Sequence, residues 1–309
     1  MSSDSNVRFS DKVKYVLKIV NLRLRKIPYL NFLARIFASI YHSFFLKKFI
    51  RKWLKKTPNG IWFDFKGAKL PDISNDINAV KQLIAVFQDT FLVSCEYDDN
   101  YDKSLVERLD KNMIEGPYGY ADGAFDVTIK KDDVVIDAGA WIGDFSAYAA
   151  SKKAIAYAFE PVRDTFQILI KTAKLNEDRI YPVQKGLGEK DCDLLIYKAS
   201  AVDMGSSIIS HDIKNGTEET ETITITTLDK FVQENSISRV DFIKADIEGA
   251  ERDMLKGAAW VLKNFAPKLA ICTYHLPDDP QVLEKLILEA NPNYTIKHLR
   301  HKLFAMVVK

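Results

Sequence analysis

Cysteine is scarce in this chain: Cys95, Cys192 and Cys272 are the only three in 309 residues, far apart and without a CxxC pair. So few thiols exclude a disulfide framework and fit a reducing, cytoplasmic compartment. The opening MSSDSNVRFSDK has no apolar core and no small-residue cleavage pattern, so no secretory leader is expected. Long uncharged apolar runs are missing too. Arg35 and His42 interrupt the most hydrophobic stretch well short of the roughly 18 residues a membrane-spanning helix needs. There is no internal repeat and no low-complexity tract. The dinucleotide fingerprint GxGxxG does not occur, which weighs against a nicotinamide-dependent oxidoreductase. Acidic residues are nearly absent from the first 56 positions: 2 Asp stand against 14 Lys and Arg, a local excess of 12 positive charges in a chain of net charge +2.

What is present sorts into three regions. Residues 1–56 carry two apolar series at helical spacing, split at Pro28. Val13, Val16, Leu17, Val20 and Leu24 form the first, and Phe32, Ile36, Phe37, Ile40 and Trp53 belong to the second. A basic helical arm with aromatic residues fits a helix lying in an anionic membrane interface, which implies peripheral contact at the inner face of a membrane. The same pattern fits a helical cap packed on the main domain. An RNA-binding arm is the alternative, with nucleic acid the less favoured partner. Residues 57–124 read as a small α/β lead-in, with IWFDF (61–65) as a strand, residues 76–91 as a helix bearing Ile77, Val80, Ile84 and Phe87 on one face, and GPYGYADG (116–123) as a turn-rich boundary.

From residue 125 to 309, apolar strands alternate with helices. VVID (134–137), AIAYAF (154–159), YPVQ (181–184), VDFIKA (240–245) and LAICTY (269–274) are the strands. Helices are expected near 143–151, after Pro161, over 249–262 and after Asp278. This alternation predicts a doubly wound α/β domain with a mostly parallel sheet, buried on both faces. YTIKHLR and KLFAMVV, joined by a short turn at His301, predict an antiparallel hairpin at one edge. Residues 185–222 read as a long polar excursion, with DLLIYK (193–198) as a short strand and Ser206 and Ser207 in a solvated loop.

Ligands of such sheets bind beyond the carboxyl ends of the strands. Asp137, Glu160, Asp246, Glu248 and His275 collect there; Lys244 and Arg163 are the nearest cations in sequence. An acidic, phosphate-poor site suits S-adenosylmethionine, which carries a sulfonium, an ammonium and a ribose diol. Glu160 lies 23 residues after Asp137, close to the offset of about 20 at which an acid reaches a ribose hydroxyl pair. Gly139 and Gly143 follow Asp137 in a DxGxxxG turn. Gly139 is expected to let the backbone approach the ligand.

VVIDAGAWIGDFS, YAFEPVRDTF, TTLDKFVQ, VDFIKADIEGAERDMLKGA and PKLAICTYH together resemble the successive motifs of the FkbM-type methyltransferases. The resemblance covers roughly 125–309. It implies a Rossmann-like class I methyltransferase fold, with seven strands and the last antiparallel. It further implies S-adenosylmethionine as methyl donor and oxygen as the methylated atom, in a sugar, a lipid-linked or a secondary-metabolite acceptor. It also implies that Asp137, Gly139, Ala140 and Gly143 form the donor loop and that Glu160 holds the ribose. The family's loop commonly has Asn where this chain has Trp141, whose indole is left to pack on the ligand or roof the pocket.

Transfer to a hydroxyl is helped by a general base. His275, with its near-neutral pKa, and Glu248, at a helix start, are the candidates, with Asp246 oriented toward the donor. Glu251 reads as a helix N-terminal acid and no more. Asp246, Glu248 and His275 are also metal-ligating types, but acid–base work is the expectation and no resident metal is. His298 and His301 form an HxxH pair that a strand splits onto opposite faces, so both read as surface residues.

Overall fold

Valine, isoleucine and alanine dominate β1 (Val134–Ala138) and β2 (Ile155–Phe159), and most of their side chains are buried. A strand apolar on both faces must be covered on both. In the computed structural model, which describes residues 47, 50–76, 79, 80, 83, 117–197, 220–299 and 301–308, these strands lie inside a seven-stranded sheet. The sheet also contains β3 (Ile180–Val183), β4 (Phe242–Ala245), β5 (Lys268–Cys272), β6 (Tyr294–Leu299) and β7 (Lys302–Val307), in the order β6-β7-β5-β4-β1-β2-β3. The first five run parallel. β7 alone runs against its neighbours β5 and β6.

The final hairpin lies at one edge of the sheet, as expected, and its strands enter in reverse order. β7 inserts between β5 and β6, and β6 takes the edge. Burial explains the order: Lys302–Ala305 of β7 are fully covered, whereas β6 buries only Tyr294. The more apolar strand goes inside.

Helices α1 (Asp144–Ser151), α2 (Arg163–Leu175), α3 (Leu228–Glu234), α4 (Glu251–Lys256), α5 (Ala259–Asn264) and α6 (Asp279–Ala290) connect the strands. One apolar core joins Ile136, Ile243 and Ile271 of the sheet to Phe231, Leu255, Leu262 and Leu283 of the helices. The single helix expected over 249–262 is broken. A Cβ on Gly257 would stand 1.9 Å from the carbonyl oxygen of Gly188, so two backbones meet there. Asp229 then accepts the N–H groups of Trp260 and Val261, both at 2.9 Å, and starts α5 afresh. Gly257→Ala is expected to lower stability by about 3 kcal/mol, because neither backbone can yield cheaply. Urea midpoints of variant and parent check this; a change under about 1 kcal/mol would show that the contact relaxes.

The excursion after β3 contains the short strand expected at DLLIYK and two further strands. Strands Gly186–Leu187, Cys192–Tyr197 and Thr220–Thr226 form a separate small sheet. TETITIT alternates: Ile223 and Ile225 are buried while Thr222 and Thr224 face water. Residues 198–219, with Ser206 and Ser207, lie outside the described residues.

Ahead of the main sheet, Leu54–Thr57, Gly60–Phe65 and Ala68–Pro71 form an antiparallel meander with Phe63, Phe65 and Leu70 buried. Asn176, after α2, accepts from Lys69 N at 3.1 Å and donates to Lys69 O at 2.7 Å, as a neighbouring strand would. Of the helix expected over 76–91, Ala79, Val80 and Leu83 are helical and buried; Ile77, Ile84 and Phe87 lie outside the described residues. Tyr120–Asp122 pairs with Phe125–Val127 across the 124/125 boundary. The chain divides into two units after Lys52, and every strand among the described residues belongs to the second, Trp53–Lys309. Nearly all of the basic arm lies outside the described residues. Among the described residues no helix is long and apolar enough to cross a membrane.

Candidate active site

The turn after β1 is shaped by crowding. Gly139 has φ +74°, and a Cβ there would lie 2.0 Å from the carbonyl oxygen of Asp246. Gly143, at φ +88°, would bring a Cβ within 2.7 Å of Leu169 on α2. Both glycines thus allow protein to approach protein, and Gly139 also lines the cleft. The N–H groups of Gly139 and Ala140 donate to the carbonyl of Phe159 at 3.1 and 2.9 Å, tying the turn to the end of β2. Trp141 sits between the glycines with φ +49°, a left-handed conformation rare for a bulky residue. It is 8% exposed and lines a cleft.

Glu160 follows β2 on the same cleft. Its Oε1 accepts from Val162 N at 2.9 Å and its Oε2 from Trp141 N at 3.1 Å. Burial pushes its pKa up to about 8, against the pull of those two N–H groups and of Lys244. Two backbone bonds fix the carboxyl plane and leave acceptor capacity for a ligand.

Asp137 does not line this cleft. Register places Lys244 of β4 directly beside it. Asp137 is fully buried; Oδ1 stands 3.2 Å from Lys244 Nζ, and Oδ2 accepts from Ser146 Oγ at 2.6 Å. Lys244 Nζ also donates to Gly139 O at 2.6 Å and to Ala138 O at 3.3 Å. Burial alone would lower this lysine's pKa, but the charges of Asp137, Asp246 and Asp144 outweigh it and hold the ammonium charged. The pair braces the turn from beneath.

Beyond β4 the chain brings acids and an imidazole together. Glu251, read from sequence as a helix-start acid, is buried and closes the 246–250 turn, accepting from Ile247 N at 2.8 Å and Gly249 N at 3.1 Å. Its Oε1 also lies 3.0 Å from His275 Nδ1. His275 Nε2 points between Asp246 Oδ1 and Glu248 Oε2, 3.6 Å from each. Burial works to lower the imidazole pKa, but Glu251, Asp246 and Glu248 raise it to about 9. His275 is therefore cationic at neutral pH and poorly suited to the base role expected of it. Asp246 goes the other way. Burial works to raise its pKa, but Lys244, Lys302 and the Tyr118 hydroxyl bring it down to about 2. Tyr118 donates to Oδ2 at 2.5 Å and Tyr274 to Oδ1 at 3.2 Å. The loop after His275 is clamped by Arg252, which donates to Asp279 at 2.8 Å and Asp278 at 2.5 Å.

The cleft places Glu160, Asp246 and Glu248 against an aliphatic wall of Val162, Leu187, Ile196, Ile223 and Ile225. No lysine or arginine is among its described lining residues. Tyr118, Tyr274, Lys302 and the isoleucine wall went unnoticed in sequence; only the alternation in TETITIT hinted at the wall. His298 ends in a surface contact, Nε2 2.7 Å from Glu284 Oε2, and His301 packs edge-on against Tyr274.

A parallel sheet with an inserted antiparallel last strand, a glycine turn after its first strand and an acid after its second define a Rossmann-like class I methyltransferase. The particular family follows from comparison. The Methyltransferase FkbM domain matches residues 137–303, more than half of the chain, and the protein belongs to that family. Hexuronic acid methyltransferase AglP of Haloferax volcanii is 29% identical over 170 residues, covering 55% of this chain and 67% of AglP. Methyltransferase 1 of Beauveria bassiana is 30% identical over 158 residues, covering 45% of this chain and 64% of that protein. The chain thus spans about two thirds of the length of these relatives. A solved FkbM methyltransferase from Methylobacillus flagellatus KT is similar at 23% identity and a TM-score of 0.46, covering 79% of this chain and 62% of that one.

Proposed function

We propose that the cleft binds S-adenosylmethionine and that the enzyme methylates an oxygen of a sugar, lipid-linked or secondary-metabolite acceptor. The observation that carries this is Glu160: a buried carboxyl on a cleft whose other acidic side chains are Asp246 and Glu248, with no cation on its described walls. A pyrophosphate would meet repulsion there, whereas a sulfonium and a ribose diol find acceptors. When bound, S-adenosylmethionine supplies an electrophilic methyl group. Gly139, Ala140 and Gly143 shape the turn around it, braced by Asp137 through Lys244. Glu160 accepts the ribose hydroxyls, and the aliphatic wall excludes water from the purine. Asp246 faces the donor and Glu248 serves the acceptor side. Glu248, 35% exposed in its side chain, is better placed to take the acceptor's proton than the cationic His275 or the strongly acidic Asp246. A sugar-like acceptor is supported by the name of the related AglP.

Calorimetric titration with S-adenosylhomocysteine and NAD tests the donor: the first is expected to bind with micromolar affinity and the second not at all. Binding of NAD alone would sink the proposal. For the acceptor, label from methyl-labelled S-adenosylmethionine is expected in a product stable to mild alkali, as an ether is. Alkali-labile label would mark an ester and rule out the hydroxyl.

A further inference from the structure

We infer that Asp246, Glu248 and His275 hold a divalent cation, with Glu251 as the residue that orients the histidine. Asp246, Glu251 and His275 bring one ligand atom each within 4.8 Å of one another. The finer geometry divides their roles. His275 Nε2 faces Asp246 Oδ1 and Glu248 Oε2 at 3.6 Å each, beyond hydrogen-bonding distance of either. Ligand atoms about 2.1 Å from one ion stand roughly 3.0–3.5 Å apart, close to the 3.6 Å from Nε2 to each oxygen; Glu248, outside the tighter group, would swing in from its partly exposed position. The opposite ring nitrogen, Nδ1, lies 3.0 Å from Glu251, whose carboxylate is itself fixed by two backbone N–H groups. Carboxylate, imidazole and ion in that order is how metal-bound histidines are held in orientation.

A second observation is independent of the acid count. The His275 side chain is 92% buried, since 8% of it is exposed. Both ring nitrogens are enclosed and neither makes a well-formed hydrogen bond to protein, Nδ1 facing Glu251 as an ion pair and Nε2 facing the two oxygens. A buried ring nitrogen aimed between two carboxylate oxygens holds either a proton without a proper acceptor or a cation, and an ion that binds there displaces the proton to solvent. Two carboxylates and one imidazole suit magnesium or manganese. The site departs from the expectation of no metal, and it adjoins the cleft through Asp246 and Glu248. Its role rests on the acceptor-side proposal above: a cation there would coordinate the acceptor oxygen and lower its pKa. Glu248 would then serve both as a ligand and as the carboxylate that takes the proton lost by the coordinated oxygen.

Manganese is the probe. The full chain, titrated with Mn2+ and followed by electron paramagnetic resonance, is expected to bind one ion per molecule. Pulsed measurements should show coupling to one imidazole nitrogen. His275→Gln should abolish that coupling. Glu248→Gln, at a partly exposed side chain that leaves folding intact, and Glu251→Gln should each weaken binding at least about 10-fold. No stoichiometric ion, unchanged affinity in Glu248→Gln, or nitrogen coupling that survives in His275→Gln would overturn the inference. Calorimetry with S-adenosylhomocysteine on the same sample separates the two proposals. Donor binding without Mn2+ binding removes the metal alone; Mn2+ binding without donor binding removes the cleft assignment alone.

Discussion

Glu160→Gln is expected to weaken S-adenosylhomocysteine binding by about 100-fold and to remove a distinct component from the protein's stability–pH profile. Both effects come from one buried carboxyl. The glutamine amide keeps one acceptor oxygen, but its NH2 end cannot accept from Trp141 N or Val162 N, nor from a ribose hydroxyl. The stability effect has a definite sign. The folded protein keeps the Glu160 proton up to about pH 8, whereas the ordinary carboxyl value is 4.5. Between those values the folded state binds more protons, so this residue's contribution is full below pH 4.5 and is lost as pH rises through 8. The loss is on the order of 5 kcal/mol. Urea unfolding of parent and variant from pH 5 to 9 should show the parent's advantage shrinking with pH. Parallel curves would show that Glu160 is already ionised in the folded protein. Donor affinity should rise toward pH 8 in the parent, because hydroxyl donors favour the ionised carboxylate.

Lys244→Met is expected to cost about 3–5 kcal/mol, since it strands Asp137 as a buried, uncompensated charge. The change also removes the ammonium that holds the carbonyls of Ala138 and Gly139, so the turn should loosen and donor affinity should fall with stability. Adding Asp137→Asn to Lys244→Met removes the stranded charge while leaving an oxygen for Ser146. The double variant should recover more than half of the lost stability without recovering donor affinity. Urea denaturation with unchanged slopes is the measurement for the first outcome, calorimetry for the second. A single variant within 1 kcal/mol of the parent, or a double variant no better than the single, would show that water reaches Asp137 and that the ion pair does not brace the turn.

These two predictions mark how differently Asp137 and Glu160 behave, although both are acids at strand ends. In sequence they look alike: each follows an apolar strand, and each is followed within three residues by a glycine or a proline. The sheet separates them. Asp137 is paired in register with Lys244 and turned inward, while Glu160 lies on the cleft with only backbone N–H groups on its oxygens. Spacing along the chain cannot carry that distinction, because it depends on which strand lies alongside. The same holds for Glu251. As a residue three after Glu248 it reads as an ordinary helix-start acid, and only the approach of β5's end makes it the partner of His275.

The sequence by itself determined the order of strands and helices from residue 134 onward, the acidic and phosphate-poor character of their carboxyl ends, and the family motifs. Period, apolar runs and strand-end residue types are local properties, readable without partners. Only the tertiary structure decided that β7 lies inside β6, that Gly257 breaks a helix against Gly188, that Asp137 props the turn, and that His275 lies among three carboxylates. Each of these depends on contacts between segments far apart in the chain, where burial, register and backbone crowding set the outcome.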